Sequence, residues 1–311
     1  LSTPASVRLV ELRYGGRRVL LAPDIGGAIA AFDEFRDGRT VHWLRPATPE
    51  ALAARDPLGM ASFPLLPYCN RIRDARFVFQ GAVVDLSGDG NAFPHALHGN
   101  AWRLPWRVDS VSDERARLVL LHEPSPEAAH HWPFAYEAAQ DFTLDANSLS
   151  VTLSLRNLAD RPMPFGMGHH PYYPRTLDTR IRARVGAMWH STSDLLPTHA
   201  GAHPSVDAMA SQDGMSADAF DLDNNYACWS RTAVVEWPDE RRSIVLSADS
   251  GFAHMVVYAP AAYPDLLCVE PVSNVADWVN LDTVDHAVKG GAVLMPGELA
   301  CASFRWITRF D

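Results

Sequence analysis

The chain has 311 residues, 47% hydrophobic and 21% charged, a balance that suits a globular protein and argues against disorder. A formal net charge of -10 argues against nucleic-acid or anionic-membrane partners, since both require a basic face. A small neutral ligand fits better, and no run of about 18 apolar residues is present to span a membrane.

From the N-terminus, LSTPASVRLVELRYGG has no charged region followed by an apolar run, so no secretory leader is expected. PEALAARDP (49–57) reads as a short helix or turn. FVFQGAVVDL reads as a hairpin turning near Gln80-Gly81. WRVDSVSDERARLVLLHEP reads as two strands around a polar turn at Ser112 to Arg115, and PEAAHHW (126–132) as a short helix or turn. In LSVTLSL, Leu149, Val151, Leu153 and Leu155 fall on one face while Ser150, Thr152 and Ser154 fall on the other, the pattern of a half-buried strand. RIRARVGAMWH is a further strand candidate, and residues 198–220, rich in small residues and weakly patterned, read as a long loop. VVEWPDERRSIVLSA repeats the hairpin plan with its turn at Pro238-Asp239-Glu240; HMVVYAP, LLCVEP and ACASFRWITRF complete the strand candidates.

No βαβ alternation, linker or repeat is evident, and 23 prolines and 19 glycines punctuate the chain. The expected fold is all-β: one large antiparallel β-sandwich domain over 1–311, with few short helices. Cys69, Cys228, Cys268 and Cys301 are far apart and form no CxxC, so free thiols in a reducing, cytoplasmic setting are expected.

Thirteen histidines raise a metal site as a possibility to test. His95 and His98 are three apart, and His130-His131 and His169-His170 are adjacent; on a strand these odd spacings send the rings to opposite faces. HExxH and zinc-type Cys/His spacings are missing, so neither metal nor cofactor is expected. GxSxG and phosphate-loop motifs are also missing, and GDGNAF reads as a glycine-containing turn. Five polar segments interrupt the strand-like runs: PYCNRIRDARF, HALHGNAW, FGMGHHPYYP, DLDNNYACW and CVEPVSN. They offer Asn70, Arg71, His98, His170, Asp223 and Glu270. Each has an ordinary structural role open to it: an ion pair for Arg71, a cap for Asp223, a hydrogen-bonded core position for a histidine. Together a histidine and a strand carboxylate also suffice for proton transfer without a cofactor.

Taken in order and at their separations, the five segments resemble the aldose 1-epimerase (galactose mutarotase) family over nearly the whole chain, least between about 175 and 220. The resemblance implies a large antiparallel β-sandwich of the galactose mutarotase type and interconversion of the α and β anomers of a free sugar. It assigns His170, directly before Pro-Tyr, as general acid and Glu270 as general base. It assigns His98, Arg71 and Asp223, with Asn70 beside them, to holding the sugar's hydroxyls and ring oxygen. His169 stands where the family more often has a large or aromatic residue, which implies packing or support. Glu270 as carboxylate would take the proton of the C1 hydroxyl and His170 as imidazolium would protonate the ring oxygen, so opposite charges on the pair are expected near neutral pH. Trp102, Tyr172, Trp229 and Trp278 lie near the motifs as stacking candidates, with core packing as the alternative.

Three rivals differ in chemistry. A hexose-phosphate mutarotase would need cations, for which Arg73 and Arg76 follow Arg71. A glycoside hydrolase would use a carboxylate pair such as Asp223 with Glu270. A non-catalytic sugar-binding protein would keep the fold alone. In each case the expected partner is a small-molecule sugar, with the chain a monomer or homodimer.

Overall fold

The computed structural model describes residues 7–89, 94–126 and 128–311. Residues 90–93 of GDGNAF and residue 127 of PEAAHHW fall outside them; Ser87–Asp89 and Ala128–His130 each form a 3-10 turn.

The described residues form antiparallel sheets, as expected. A nine-stranded sheet runs Arg107–Val111, Arg115–His122, Tyr136–Leu144, Ser148–Asn157, Leu299–Phe310, Arg242–Ala248, Thr232–Trp237, Arg180–Ala183 and Met215–Ser216 in spatial order. A seven-stranded sheet runs Pro197–Gly201, Ala187–Ser191, Leu222–Ala227, His254–Ala259, Cys268–Val272, Gly168–His169 and Pro64–Leu65. A four-stranded sheet of the first 42 residues (Val10–Tyr14, Arg17–Ala22, Ala28–Arg36, Arg39–His42) was not evident in the sequence. Its third strand is buried over seven consecutive residues, so it lacks the alternation that marks a half-exposed strand.

Alternation builds the core. Leu149, Val151, Leu153 and Leu155 are all fully buried and share one apolar cluster with Met255, Val257 and Val269 of the seven-stranded sheet. A one-residue slip would turn the four aliphatic side chains outward at about 1.5–3 kcal/mol each, so the register is strongly specified. The expected hairpins are present, with Gln80 and Gly81 both at positive φ in the turn between Arg76–Phe79 and Ala82–Asp85.

Two expectations are corrected. RIRARVGAMWH is two strands, Arg180–Ala183 and Ala187–Ser191, which belong to different sheets. Residues 198–220 are not a loop: they hold most of strand Pro197–Gly201, helix Pro204–Ala210 and strand Met215–Ser216. The helix starts where His203 accepts a hydrogen bond from the Ser205 amide and Pro204 occupies the first turn, a cap that an imidazole seldom supplies. Among the described residues α-helix is otherwise confined to Pro49–Ala54 and His286–Lys289, and no helix is long and apolar enough to cross a membrane.

Candidate active site

Strands His254–Ala259 and Cys268–Val272 of the seven-stranded sheet are buried on both faces, and the face away from the main core carries the candidate chemistry. In the sheet's antiparallel ladder Asp223 lies opposite Tyr258 and Tyr258 opposite Cys268; two residues on, and so on the same face, Asn225 lies opposite Val256 and Val256 opposite Glu270. Directly opposed residues share a face, so Asp223, Cys268 and Glu270 project to the same side. Glu270 is 2% exposed.

The FGMGHHPYYP segment crosses beside that strand. Gly168 pairs with Val272 on one side and Leu65 on the other. A methyl group on Gly166 would lie 1.9 Å from Asn274 Oδ1, and one on Gly168 would lie 2.8 Å from Cys69 Sγ. The two glycines therefore permit close approach of the segments bearing His170 and Glu270. Asn274, fully buried, ties the same region together: its amide donates to the carbonyls of Cys69 and Val275. The strand ends at His169, and Pro171, without an amide hydrogen, cannot extend it.

The two histidines face opposite ways. His169 is fully buried, with Nδ1 2.5 Å from Ser62 Oγ, Nε2 3.2 Å from Gln140 Oε1, and its ring against Phe304 and Trp306. His170 points to the other face. Its amide donates to the Phe63 carbonyl, its ring stacks on Phe63 with centroids 4.7 Å apart, and Tyr172 covers another side at 4.8 Å. His170 Nε2 stands 3.4 Å from Glu270 Oε1. His170 Nδ1 and Glu270 Oε2 are buried without a hydrogen-bond partner among the described residues.

The other four sequence-derived residues join this pair through a run of contacts. The His98 ring meets His170 edge-on at 5.4 Å. His98 Nδ1 accepts the Asn70 amide, and the Asn70 carbonyl accepts the His98 amide. Nδ1 is thereby the acceptor, so the neutral ring carries its hydrogen on Nε2. Both residues adopt positive φ, 62° and 63°, a backbone cost consistent with a site that fixes side-chain direction. Asn70 Oδ1 accepts from the Arg71 amide and Nη1, and Arg71 Nη2 reaches Asp223 Oδ2 at 3.2 Å. His95, by contrast, turns away to Asp194, separating the two histidines of HxxH.

Burial sets the electrostatics. It pushes His170 down to about 3, assisted by the nearby Arg45 charge, and holds His98 well below the usual histidine range, assisted by His170, Arg71 and Arg103. It drives Glu270 well above the usual carboxylate range; Asp223 adds to that rise and Arg71 opposes it. Burial thus works against the opposite charges expected of the pair, because desolvation disfavours both the Glu270 carboxylate and the His170 imidazolium. The pair still holds one proton, and the ionised arrangement differs only in which partner carries it.

The aldose 1-epimerase family model matches residues 8–303. The chain belongs to the aldose 1-epimerase family. YphB of Escherichia coli K12, a protein described as uncharacterised, is 30% identical over 283 residues, which is 88% of this chain and 90% of YphB. An aldose 1-epimerase of the same organism is 28% identical over 169 residues, 53% of this chain and 47% of that enzyme. The crystal structure of a candidate aldose 1-epimerase from Escherichia coli K12 superposes with a TM-score of 0.84 at 26% identity, covering 98% of this chain and 100% of that one.

Within this aldose 1-epimerase family member, several neighbours of the pair carried no sequence signal. Phe63 backs His170 on one side and Trp102 stacks on Phe63 at 5.2 Å. Arg45 lies 4.0 Å from the Tyr172 ring centroid. A lone phenylalanine or arginine has no spacing that marks it. Cys268 was not singled out in the sequence either, although period-2 alternation puts it on the same strand face as Glu270, two residues before it. Of the stacking candidates, Trp102 and Tyr172 belong to the His170 neighbourhood, Trp229 donates to the Thr232 carbonyl within the main core, and Trp278 packs with Trp189 in a separate cluster.

Proposed function

We propose that this chain is an isomerase that interconverts the α and β anomers of a free aldohexose. The observation carrying this reading is the buried His170–Glu270 opposition at 3.4 Å, with an unpartnered polar atom on each side chain. Unpartnered buried polar groups are costly, about 1–3 kcal/mol each, and a hydroxyl-rich ligand would relieve that cost.

The reaction conserves the proton held by the pair. Glu270 Oε takes the proton of the C1 hydroxyl as the C1–O bond becomes a carbonyl. The bond between C1 and the ring oxygen breaks, and His170 protonates that oxygen. Rotation about C1–C2 turns the other carbonyl face to the oxygen, and reclosure runs the transfers backwards. At the open-chain stage Glu270 is protonated and His170 neutral, which is the state that burial favours. Desolvation thus works in favour of ring opening, while Arg71 lowers the cost of ionising Glu270 in the closed-ring stage. Each positioned proton transfer contributes about 10²- to 10⁴-fold. His98 Nε2–H, the Arg71 guanidinium and the Asp223 carboxylate supply one neutral donor, one charged donor and one acceptor for sugar hydroxyls.

The phosphorylated-hexose alternative receives no support from the cations considered for it. Arg73 is held by Asp277 and Arg76 by Asp85, at 3.2 and 2.8 Å. The test is the optical rotation of freshly dissolved α-D-glucose and α-D-galactose with and without the protein, beside the corresponding 6-phosphates. Faster decay for the free sugars supports the reading; acceleration confined to the phosphates, or none, contradicts it.

A further inference from the structure

Strand alternation places a thiol beside the proton-transfer pair. Cys268 and Glu270 are two residues apart on one strand, so both side chains project to the face on which His170 lies. One ligand atom from each of His170, Cys268 and Glu270 lies within 4.8 Å of the other two, and all three residues are buried. Imidazole nitrogen, thiolate sulfur and carboxylate oxygen bonded to one zinc ion at about 2.0–2.3 Å stand roughly 3.3–3.7 Å apart in a tetrahedron. His170 Nε2 and Glu270 Oε1 already meet that spacing at 3.4 Å. The thiol sulfur needs to close by no more than about an ångström, within the reach of a side-chain rotation.

We propose that His170, Cys268 and Glu270 form a binding site for a thiophilic divalent cation, zinc in particular, and that occupation of this site blocks the enzyme. This deepens the proton-transfer reading of the pair and rests on it for the inhibitory consequence only. The charge balance fits a buried site. Zinc enters with two positive charges; the Cys268 thiol loses one proton, and the pair loses the one proton it shares. Zn–S, Zn–O and Zn–N bonds form, two protons pass to the buffer, and the net charge of the buried group stays at zero. No uncompensated charge is left in a low-dielectric environment, which is the usual obstacle to burying an ion. Three protein ligands leave a fourth position for water, and hard ions such as magnesium, which favour all-oxygen sites, are excluded by the sulfur and nitrogen donors. His170 Nδ1 has no hydrogen-bond partner among the described residues to orient the ring, so binding is weaker than in a structural zinc site and reversible by chelator.

The bound ion takes the nitrogen of His170 and the oxygen of Glu270 that proton transfer requires. Anomerisation is therefore inhibited by zinc, and restored by EDTA, with sugar and metal competing for one site. Neither histidine-pair nor CxxC spacing reveals this set, because its members come from two segments and include only one histidine.

The probe is cobalt(II), which occupies zinc sites and reports thiolate ligation by an intense near-ultraviolet charge-transfer band. The protein is titrated with cobalt beside Cys268→Ala and Cys268→Ser, each first checked for folding by circular dichroism. The band is expected in the wild type, absent in both variants, and abolished by stoichiometric zinc. In parallel, the zinc concentration for half-inhibition of anomerisation is expected to rise at least tenfold in Cys268→Ala, each protein being referred to its own rate in EDTA. Absence of the band from the wild type, or an equal band in both variants from the exposed Cys228 and Cys301, overturns the site. A band lost in the variants but with equal zinc inhibition in all three proteins overturns the inhibitory role. The cobalt measurement does not depend on sugar turnover, so failure of the anomerase reading leaves the metal site separately tested.

Discussion

Replacing His169 by alanine separates support of the fold from chemistry. The side chain is fully buried, bridges Ser62 Oγ and Gln140 Oε1, and packs against Phe304 and Trp306. Truncation leaves two buried polar atoms without that partner, at about 1–3 kcal/mol each. It also opens a cavity the size of an imidazole, for which large-to-small core changes cost about 2–4 kcal/mol. Partial collapse and local hydration make the sum non-additive, so a loss of about 4–6 kcal/mol is expected, at the upper end of single-substitution effects. With roughly 2 °C per kcal/mol for a chain of this size, the melting temperature should fall by about 10 °C. The backbone of Gly168–His169 keeps its pairing with Pro64–Leu65, and the His170 amide keeps its bond to Phe63. Anomerisation per folded molecule, followed by polarimetry well below the melting transition, should therefore stay within about threefold of the wild type. A loss of 100-fold or more with an unchanged melting temperature would refute the assignment of the two rings to opposite faces.

Gly166→Ala places a methyl group against Asn274 Oδ1, and Asn274 cannot yield without releasing the Cys69 and Val275 carbonyls. A loss of about 2–4 kcal/mol by chemical denaturation is expected, together with a fall in turnover; a neutral effect on both would show that this approach is not tight. His254 is held down to about 4 by burial. The unfolded chain therefore binds more protons than the folded one between pH 6.5 and 4, so stability is full above that window and falls as pH drops through it. One such proton corresponds to about 1.4 kcal/mol per pH unit. His254→Leu should flatten the stability profile by about 2 kcal/mol between pH 6.5 and 5; parallel wild-type and variant profiles would place that proton elsewhere.

The fold was legible wherever one strand face met the core and the other did not. Leu149, Val151, Leu153 and Leu155 declared their strand by alternation, and Gln80-Gly81 declared a hairpin by turn chemistry. Ala28–Arg36 was invisible because it is buried on both faces through Phe32, Asp33 and Glu34, which erases the period. Pro204–Ala210 was hidden by its histidine cap and by having only Ser205 and Met209 buried, too few apolar positions to show a helical period. The site residues emerged from five segments taken together, since nothing local distinguishes Asp223 or Asn70 from an ordinary turn residue. Their linkage through Asn70–His98 and Arg71–Asp223 is a tertiary fact that spacing along the chain does not encode. The charge state of the pair was the least legible property, because it depends on how much water Phe63, Tyr172 and the sheet remove from His170 and Glu270.

The most direct test of the central claim is the anomerisation rate of Glu270→Gln, an isosteric change that removes the proton acceptor and leaves the buried volume filled. The rate for α-D-galactose or α-D-glucose, measured by polarimetry or proton NMR at neutral pH, should fall by at least 100-fold, with circular dichroism and melting temperature showing an intact fold. A rate equal to that of the wild type, in a folded variant, would contradict the role of Glu270 and with it the proposed mechanism.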